Sequence, residues 1–269
     1  MRGGDPDSMI FHVTVTLDSF ESKIDEIIRA GFHPEVRMTD IEHMLGLPRA
    51  DLDRLGRLIG ERSLTVFTHG PFLGLDIASL NAHLAAHSTE CLLRGLEVTA
   101  GLGGRVMVMH TNYSPFYSRA GLREWLGNWS ARMPAVLESA KRLGVTLAVE
   151  NAWEENPRVL EHLVDLLPAG GAAVCLDIGH VSAFSRLSVN RWWNVLGERV
   201  VALHLHDNDG LSDDHMAPGR GIADYPALVD ILRSRHPLPL MTLEVDLPAA
   251  VEGRRYLERL FAEPPMKGR

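Results

Sequence analysis

The stretch Val106-Met107-Val108-Met109-His110 indicates the fold, because four consecutive apolar residues are followed there by a histidine. A strand buried on both faces of a parallel sheet has such a continuous apolar pattern, whereas apolar and polar residues alternate in a strand with one face exposed to solvent. Ala172-Ala173-Val174-Cys175-Leu176 repeats the pattern and is followed by Asp177. We therefore expect buried parallel strands that end on polar residues.

Outward from these stretches, short β-rich runs alternate with longer helical patterns, and no low-complexity linker divides the chain. Eight strands are predicted, at Ile10–Thr16, His33–Met38, Leu64–Thr68, Arg105–His110, Val145–Glu150, Ala173–Asp177, Val200–His206 and Leu240–Val245. Helical patterns follow, for example at Phe20–Ala30, Asn81–Gly101, Gly121–Leu143, Asn156–Leu167, Tyr225–Ser234 and Ala249–Phe261. The glycine-rich residues 101–104 follow a helix and precede a strand, the reverse of a dinucleotide-binding loop.

Eight β–α units in 269 residues fit one (β/α)8 TIM barrel of the α/β class, a fold that needs about 250 residues. An open doubly wound sheet is the weaker alternative, since it usually has fewer strands. We predict a single catalytic domain over residues 9–269. Residues 1–8 are polar and are predicted to be a disordered or non-native extension.

The composition and net charge of the chain bear on its partners and its location. The formal net charge is −8 and no run of Lys or Arg forms a basic stripe, which weighs against nucleic acid as a partner. Bound divalent cations can reverse the sign of the charge in a pocket, so the net charge of the chain does not exclude a nucleic acid partner. Cys91 and Cys175 lie in apolar stretches and are expected to be reduced, buried thiols of a cytoplasmic protein. We expect no membrane segment, since no apolar run reaches about 18 residues.

The candidate site follows from the ends of the predicted strands. Residues able to bind a metal stand at or near the ends of strands three to eight, namely His69, His110, Glu150, Asp177, His204 and Glu244. Parallel barrel strands all end at one face, where barrel active sites lie. Any one of these residues could be an ordinary structural residue, but carboxylates and histidines crowded into one apolar-walled mouth would repel or protonate without a cation. We therefore predict a divalent-metal site.

Imidazole and carboxylate ligands together suit Zn²⁺ or Mn²⁺ better than Mg²⁺ or Ca²⁺. Zinc is the first choice and manganese the second. Loops after the strands add His180, Asp213 and His215. Asp213-Asp214-His215 taken alone is typical of a polar surface loop, and its place at the barrel mouth favours a site. Ordinary structural roles are expected for His12, His33, His43, His83, His87, His162 and His236.

Ordered along the strands, these residues resemble the xylose isomerase-like TIM barrels, the superfamily of sugar phosphate isomerases, epimerases and endonuclease IV. The resemblance rests on Phe67-Thr68-His69-Gly70-Pro71-Phe72, Val108-Met109-His110, Ala148-Val149-Glu150-Asn151, Cys175-Leu176-Asp177-Ile178-Gly179-His180, His204-Leu205-His206-Asp207, Asp213-Asp214-His215 and Thr242-Leu243-Glu244. Each motif alone is weak, whereas their order and placement on the strands are specific.

The resemblance implies two alternative metal arrangements. The endonuclease IV pattern implies up to three zinc ions: one on His69, His110 and Glu150, one on Glu150, Asp177, His204 and Glu244, and one on His180, Asp213 and His215. The epimerase pattern implies a single metal on Glu150, Asp177, His204 and Glu244. His206 is a rival to His204, which we prefer because the family's ligand precedes an Asp by three residues, here Asp207.

The two metal arrangements correspond to two alternative enzyme classes. In an isomerase or epimerase, Glu150 and Glu244 would act as acid and base around a metal-stabilised enediolate. In a phosphoester hydrolase, clustered metals would activate a water to attack a small phosphate ester or abasic DNA. We favour the sugar or sugar-phosphate isomerase/epimerase because the chain is acidic, and we expect a small-molecule substrate. Substrate contacts are assigned to Phe72, Asn151, His206 and Arg220. A catalytically silent binding barrel would require all nine site residues to be coincidental.

Overall fold

The computed structural model describes residues 9–168 and 170–264. Its eight strands are parallel and close into a barrel in chain order, with the eighth strand paired to the first. They are β1 Phe11–Thr16, β2 His33–Arg37, β3 Phe67–His69, β4 Val106–His110, β5 Thr146–Glu150, β6 Ala173–Asp177, β7 Val200–Leu205 and β8 Leu240–Leu243. The predicted single-domain (β/α)8 TIM barrel is confirmed. The predicted extension at residues 1–8 lies outside the described residues.

Helices lie between the strands and cover the outside of the barrel. They are α1 Phe20–Arg29, α2 Ile41–Gly46, α3 Arg49–Glu61, α4 Ala82–Gly101, α5 Arg119–Leu143, α6 Pro157–Asp165, α7 Ile178–Phe184, α8 Val189–Leu196, α9 Tyr225–Leu232 and α10 Leu247–Ala262. The six predicted helices agree with these bounds to within two residues at either end. No described helix is both long enough and apolar enough to cross a membrane.

The third strand is the largest correction to the predicted strands. It covers Phe67–His69 instead of Leu64–Thr68. The amide of Leu64 donates to the carbonyl of Ile59 at the end of α3, and the amide of Thr65 donates to His33 Nδ1. The amide of Leu64 is therefore used to end α3 and that of Thr65 is bonded to a side chain, so backbone pairing with β2 begins only at Phe67.

Strands β7 and β8 end earlier than predicted. β7 stops at Leu205, because His206 is followed by an antiparallel bridge in which Asp207 and Met216 exchange backbone hydrogen bonds. β8 stops at Leu243. The amide of Glu244 still donates to the carbonyl of Leu205, so its side chain stays in register with the neighbouring strand.

The inner face of the barrel explains why the strand-end residues converge. Five buried residues, Phe67, Val108, Ala148, Cys175 and Ala202, pack together inside the barrel. Each lies two residues before a predicted site residue on the same strand, and side chains two apart in a strand share a face. The residues that follow them, His69, His110, Glu150, Asp177 and His204, therefore point into the barrel above this layer.

Candidate metal centre

Three of the predicted ligands meet at one carboxylate oxygen. Glu150 Oε2 lies 3.2 Å from His69 Nε2 and 3.1 Å from His110 Nε2, and the two Nε2 atoms are themselves 3.2 Å apart. Among the described residues none hydrogen-bonds to this fully buried oxygen. Ligand atoms that crowd together at such distances without satisfying one another are what a cation between them would satisfy.

The second oxygen of Glu150 faces a group built around His204. His204 Nδ1 lies 3.0 Å from Glu150 Oε1, 3.6 Å from Glu244 Oε1 and 3.8 Å from Asp177 Oδ2. All four side chains are buried. Glu244 Oε1 also has no hydrogen-bond partner among the described residues. Glu150 therefore stands between two groups of potential ligands, as a bridging carboxylate would.

His180, which lies on α7 and not on a loop as expected, forms a third group with the loop residues Asp213 and His215. His180 Nε2 and His215 Nε2 each lie 3.3 Å from Asp213 Oδ2. His206 approaches the other oxygen of Asp213 to 3.6 Å and lies 3.2 Å from Asp177 Oδ1. The backbone of His215 is left-handed, with φ of 49°, a conformation that costs energy for a residue with a Cβ. The bridge between Asp207 and Met216 holds this strained turn beside Asp213.

Backbone carbonyls orient three of the imidazoles. The Nδ1 atoms of His69, His180 and His215 lie at the carbonyl oxygens of Gly70, Asn151 and Glu244. A carbonyl can only accept, so each Nδ1 carries the proton. In the neutral ring each Nε2 then presents its lone pair to the cluster, which is the usual arrangement of a metal-binding histidine.

Helix α7 fixes Asp177 at the edge of the site. Asp177 is the N-cap of this helix, and its Oδ1 accepts a hydrogen bond of 2.7 Å from the amide of His180. Asn151 ties β5 to β6 at the same level: its side-chain amide donates to the carbonyl of Asp177 and its side-chain oxygen accepts from the amide of Asp177. Both groups of the Asn151 amide are thus bonded to backbone.

These residues fit a divalent cation. Five overlapping sets of three ligand atoms lie within 4.8 Å of one another, and together they include all nine predicted ligands and His206. The donors are imidazole nitrogens and carboxylate oxygens, which suit Zn²⁺ or Mn²⁺. Buried carboxylate oxygens without hydrogen-bond partners supply the negative charge that such an ion would neutralise.

Comparison with known proteins places this barrel in a family. The family described as the xylose isomerase-like TIM barrel matches residues 28–260. The chain belongs to the xylose isomerase-like TIM barrels. A relative named Uncharacterized protein MJ1311, from Methanocaldococcus jannaschii, is 24% identical over 224 residues, 80% of this chain and 75% of that protein.

Two solved structures of similar fold cover nearly the whole chain. The TTHB071 protein from Thermus thermophilus, soaked with ZnCl2, has a TM-score of 0.80 at 26% identity and covers 96% of this chain and 100% of its own. A D-tagatose 3-epimerase-like protein has a TM-score of 0.83 at 22% identity, over 94% of this chain and 97% of its own. The candidate site of this xylose isomerase-like barrel lies at the carboxyl ends of the strands, where the active sites of TIM barrels lie.

In the third ligand group of this xylose isomerase-like barrel, the imidazoles of His180 and His215 are protonated near neutral pH when no metal is bound. Burial lowers the pKa of His180, but the charges of Asp177 and Asp213 outweigh burial and raise it to about 10. Burial likewise lowers the pKa of His215, and the hydrogen bond to Asp213 and the charge of Glu244 raise it to about 9. Burial acts to raise the pKa of Asp213, but both imidazoles hold it well below its usual range.

We expect the metal-free protein to lose stability as the pH rises. His180 and His215 have folded-state pKa values of about 10 and about 9, above the value of about 6.5 for an unfolded histidine. Their stabilising contribution is complete below the unfolded pKa and is lost as the pH rises through the folded pKa. Denaturant unfolding of chelator-treated protein between about pH 6.5 and 9.5 measures the fall. The double variant His180→Ala, His215→Ala should show a shallower fall, and an equal fall in both proteins would contradict this prediction.

Glu35 is a functional candidate that sequence reasoning missed. It lies on β2, is fully buried, and its Oε1 is 3.1 Å from His204 Nε2. His204 therefore has one ring nitrogen on Glu35 and the other in the ligand group. A carboxylate behind a ligand histidine fixes the ring and makes it a better donor. The available signal was an acidic residue in the middle of a predicted strand, between Pro34 and Val36.

Glu35→Gln is expected to weaken zinc binding about tenfold, because the neutral amide makes a poorer partner for His204. Competition with a chromophoric chelator measures the affinity directly. Glu61→Gln, an exposed residue on α3, makes the same substitution away from the site and should bind zinc as the parent does. Unchanged affinity in Glu35→Gln would show that Glu35 does not support His204.

The residues assigned to the substrate lie in different places. Phe72 packs flat on His110, with 4.5 Å between ring centroids and 13° between planes, so it lies at the mouth beside the cluster. His206 is buried, and its ring stacks on His215 at 4.0 Å. Gly179 permits this packing, since a Cβ there would come within 2.0 Å of the His206 ring.

Arg220 and Asn151 do not face the cluster. The guanidinium of Arg220 is paired with Glu252 on α10, outside the site. The turn that carries Arg220 is held by Asp207, whose carboxylate accepts from the amides of Gly219 and Ala223. Gly221 permits the close packing of this turn, since a Cβ there would come within 2.0 Å of the carbonyl oxygen of Asn208. Asn151 is committed to the backbone of Asp177, as described above.

Proposed function

We propose that this chain is a divalent-metal-dependent sugar isomerase or epimerase that moves a proton on a carbon next to a carbonyl. The observation that carries the proposal is the convergence of Glu150 and Glu244 on His204 Nδ1, at 3.0 and 3.6 Å, in one buried mouth. Two carboxylates beside one metal position are what a reaction needs that removes a proton from carbon and returns one to it.

Glu150, Asp177, His204 and Glu244 would hold the catalytic metal, with zinc as the first choice and manganese as the second. A cation bound there would act as a Lewis acid on the substrate's carbonyl and neighbouring hydroxyl. The first glutamate takes the proton from the carbon between these groups, and the electron pair passes into an enediolate. The second glutamate takes up a proton from solvent and delivers it to the opposite face, which inverts that carbon, and the first glutamate returns its proton to solvent.

The electrostatics of the metal-free mouth favour the deprotonated form of both carboxylates. Burial acts to raise the pKa of Glu244, but His204 and Arg37 outweigh it and lower the pKa to about 2. Burial acts in the same way on Glu150, where His204 and His110 hold the pKa well below its usual range. In the metal-free protein both residues are therefore deprotonated near neutral pH, which suits the glutamate that acts as the base, whereas the glutamate that acts as the acid must first take up a proton from solvent.

The relatives support this proposal at the level of fold. One similar structure is of a D-tagatose 3-epimerase-like protein, and the structure of the TTHB071 protein was obtained after soaking with ZnCl2. A small sugar also suits the electrostatics better than DNA, since the chain carries a formal net charge of −8.

The third group of ligands favours a second candidate function, phosphoester hydrolysis. His180 and His215 meet at one oxygen of Asp213, at 3.3 Å each, and a one-metal epimerase has no need of this group. Several metals in one mouth could activate a water and hold the attacking and leaving oxygens of a phosphate ester. A small phosphate ester or abasic DNA would then be the substrate.

Parallel assays distinguish the two candidates. The zinc- and manganese-loaded proteins are incubated with a panel of ketoses and ketose phosphates, with a chromogenic phosphate ester and with abasic DNA. The proposal expects interconversion of at least one ketose pair, abolished by a chelator and restored by metal. Hydrolysis of the ester or nicking of the DNA, without any interconversion, would replace it by the second function.

A further inference from the structure

We propose that an aromatic subsite next to the metal centre binds a neutral ring or apolar substituent on the sugar, so that the substrate is larger than a free monosaccharide and carries no phosphate at that end. The inference rests on the proposed function for the identity of the sugar. The subsite is a cavity of about 550 Å³ lined by the aromatic side chains of Phe72, Tyr113, Phe116, Trp153 and Phe184.

The cavity adjoins the metal centre through two of these rings. Phe72 stacks on His110 of the first ligand group, at 4.5 Å between centroids. Phe184 lies 5.8 Å from the ring of His180, a member of the third group. A substrate held at the cluster therefore has this cavity as its neighbour, in the loops after β3 to β6.

Two of the aromatic side chains that line the cavity expose much of their apolar surface to solvent. Phe116 is 93% exposed and Trp153 is 54% exposed, and both lie in the same cavity. Trp153 is held by Phe184, with 4.6 Å between ring centroids. Large apolar surface left open beside a polar site is typical of a ligand-binding groove. Flat rings there can stack on a planar or apolar group of the ligand.

The charges around the cavity select against phosphate. Among the described residues that line it, the formally charged ones are Asp76 and Glu155, and none is Lys or Arg. A phosphate placed there would meet two carboxylates and no cation, whereas phosphate sites use Arg, Lys or backbone amides. The aromatic walls and acidic charges together favour a neutral ring that is attached through one of the sugar's hydroxyls, which leaves the carbonyl free for the proposed reaction.

The test compares ligands that differ only at this end. The metal-loaded protein is titrated calorimetrically with phenyl β-D-glucopyranoside, methyl β-D-glucopyranoside and β-D-glucose 1-phosphate, which differ in the substituent on C1. The phenyl glucoside is expected to bind about tenfold more tightly than the methyl glucoside, because its ring can stack and bury apolar surface. β-D-Glucose 1-phosphate should bind no more tightly than the methyl glucoside, because its phosphate would meet two carboxylates in the cavity.

Variants test whether the aromatic cavity causes the tighter binding of the phenyl glucoside. The double variant Phe116→Ala, Trp153→Ala should bind the phenyl and methyl glucosides within about twofold of each other, since the stacking walls are gone. Ile10→Ala, an exposed apolar residue at the other end of the barrel, should keep the preference. Unchanged metal content in both variants shows that the mouth is intact. No preference for the phenyl glucoside in the parent, whether both glucosides bind or neither does, would overturn the subsite, as would tighter binding of β-D-glucose 1-phosphate than of the methyl glucoside.

The two glucosides carry no free carbonyl, so their binding is independent of turnover. Ketose interconversion without a phenyl preference would refute the subsite and leave the proposed function standing. A phenyl preference without interconversion would refute the proposed reaction and leave the subsite.

Discussion

Glu150→Gln is expected to lower kcat/KM for ketose interconversion by about 10³-fold or more, because one side chain supplies both a ligand and an acid–base group. The carboxylate faces His69 and His110 through one oxygen and His204 through the other. The amide keeps the shape of the side chain but presents a neutral group to three imidazoles. Initial rates by NMR on the interconverted ketose pair measure the loss.

A matched control variant distinguishes the effect of losing a carboxylate in the site from the effect of losing a carboxylate elsewhere in the protein. Glu198→Gln removes a carboxylate from the short helix before β7, at the opposite end of the barrel, where the side chain is exposed. It should retain parental turnover and metal content. Retained turnover in Glu150→Gln would contradict the site assignment under either proposed reaction.

His204→Ala is expected to remove the catalytic metal. The proposed epimerase should hold about one tightly bound divalent ion per chain, and His204 lies among all the carboxylates of that position. Elemental analysis of protein purified without added metal measures the stoichiometry, which should fall towards zero in this variant.

Two further histidines serve as controls for that measurement. His206→Ala and His215→Ala alter the neighbouring group around Asp213 and should each leave the tightly bound metal in place. Loss of that metal in His206→Ala with retention in His204→Ala would show that the two histidines were assigned in the wrong order. A content of about three ions per chain, with one lost in His215→Ala, would favour the phosphoester hydrolase.

The sequence predicted the barrel and the six strand-end residues for one physical reason. Continuous apolar runs specify buried parallel strands, and parallel strands in a closed barrel must end at the same face. His110 and Glu150 are paired across β4 and β5, and Asp177 and His204 across β6 and β7. Distance along the chain had no bearing on this convergence.

The remaining features depend on loops and on tertiary contacts, which strand patterns do not specify. His180, Asp213 and His215 were predicted through the resemblance, and their contacts in the structure come from a helix cap and a strained turn. Arg220 stands in a glycine-rich turn at the mouth, yet its side chain turns outward to Glu252. Glu35 was missed because its role depends on a histidine 169 residues away.

The most direct test of the proposed reaction is hydrogen exchange at carbon. The metal-loaded protein is incubated with the ketose panel in D₂O, and deuterium at the carbon next to the carbonyl is followed by NMR and mass spectrometry. We expect one ketose to take up deuterium at that carbon, with loss of the exchange on chelation and in Glu150→Gln. Absence of exchange from every ketose, together with metal-dependent hydrolysis of a phosphate ester, would contradict the account.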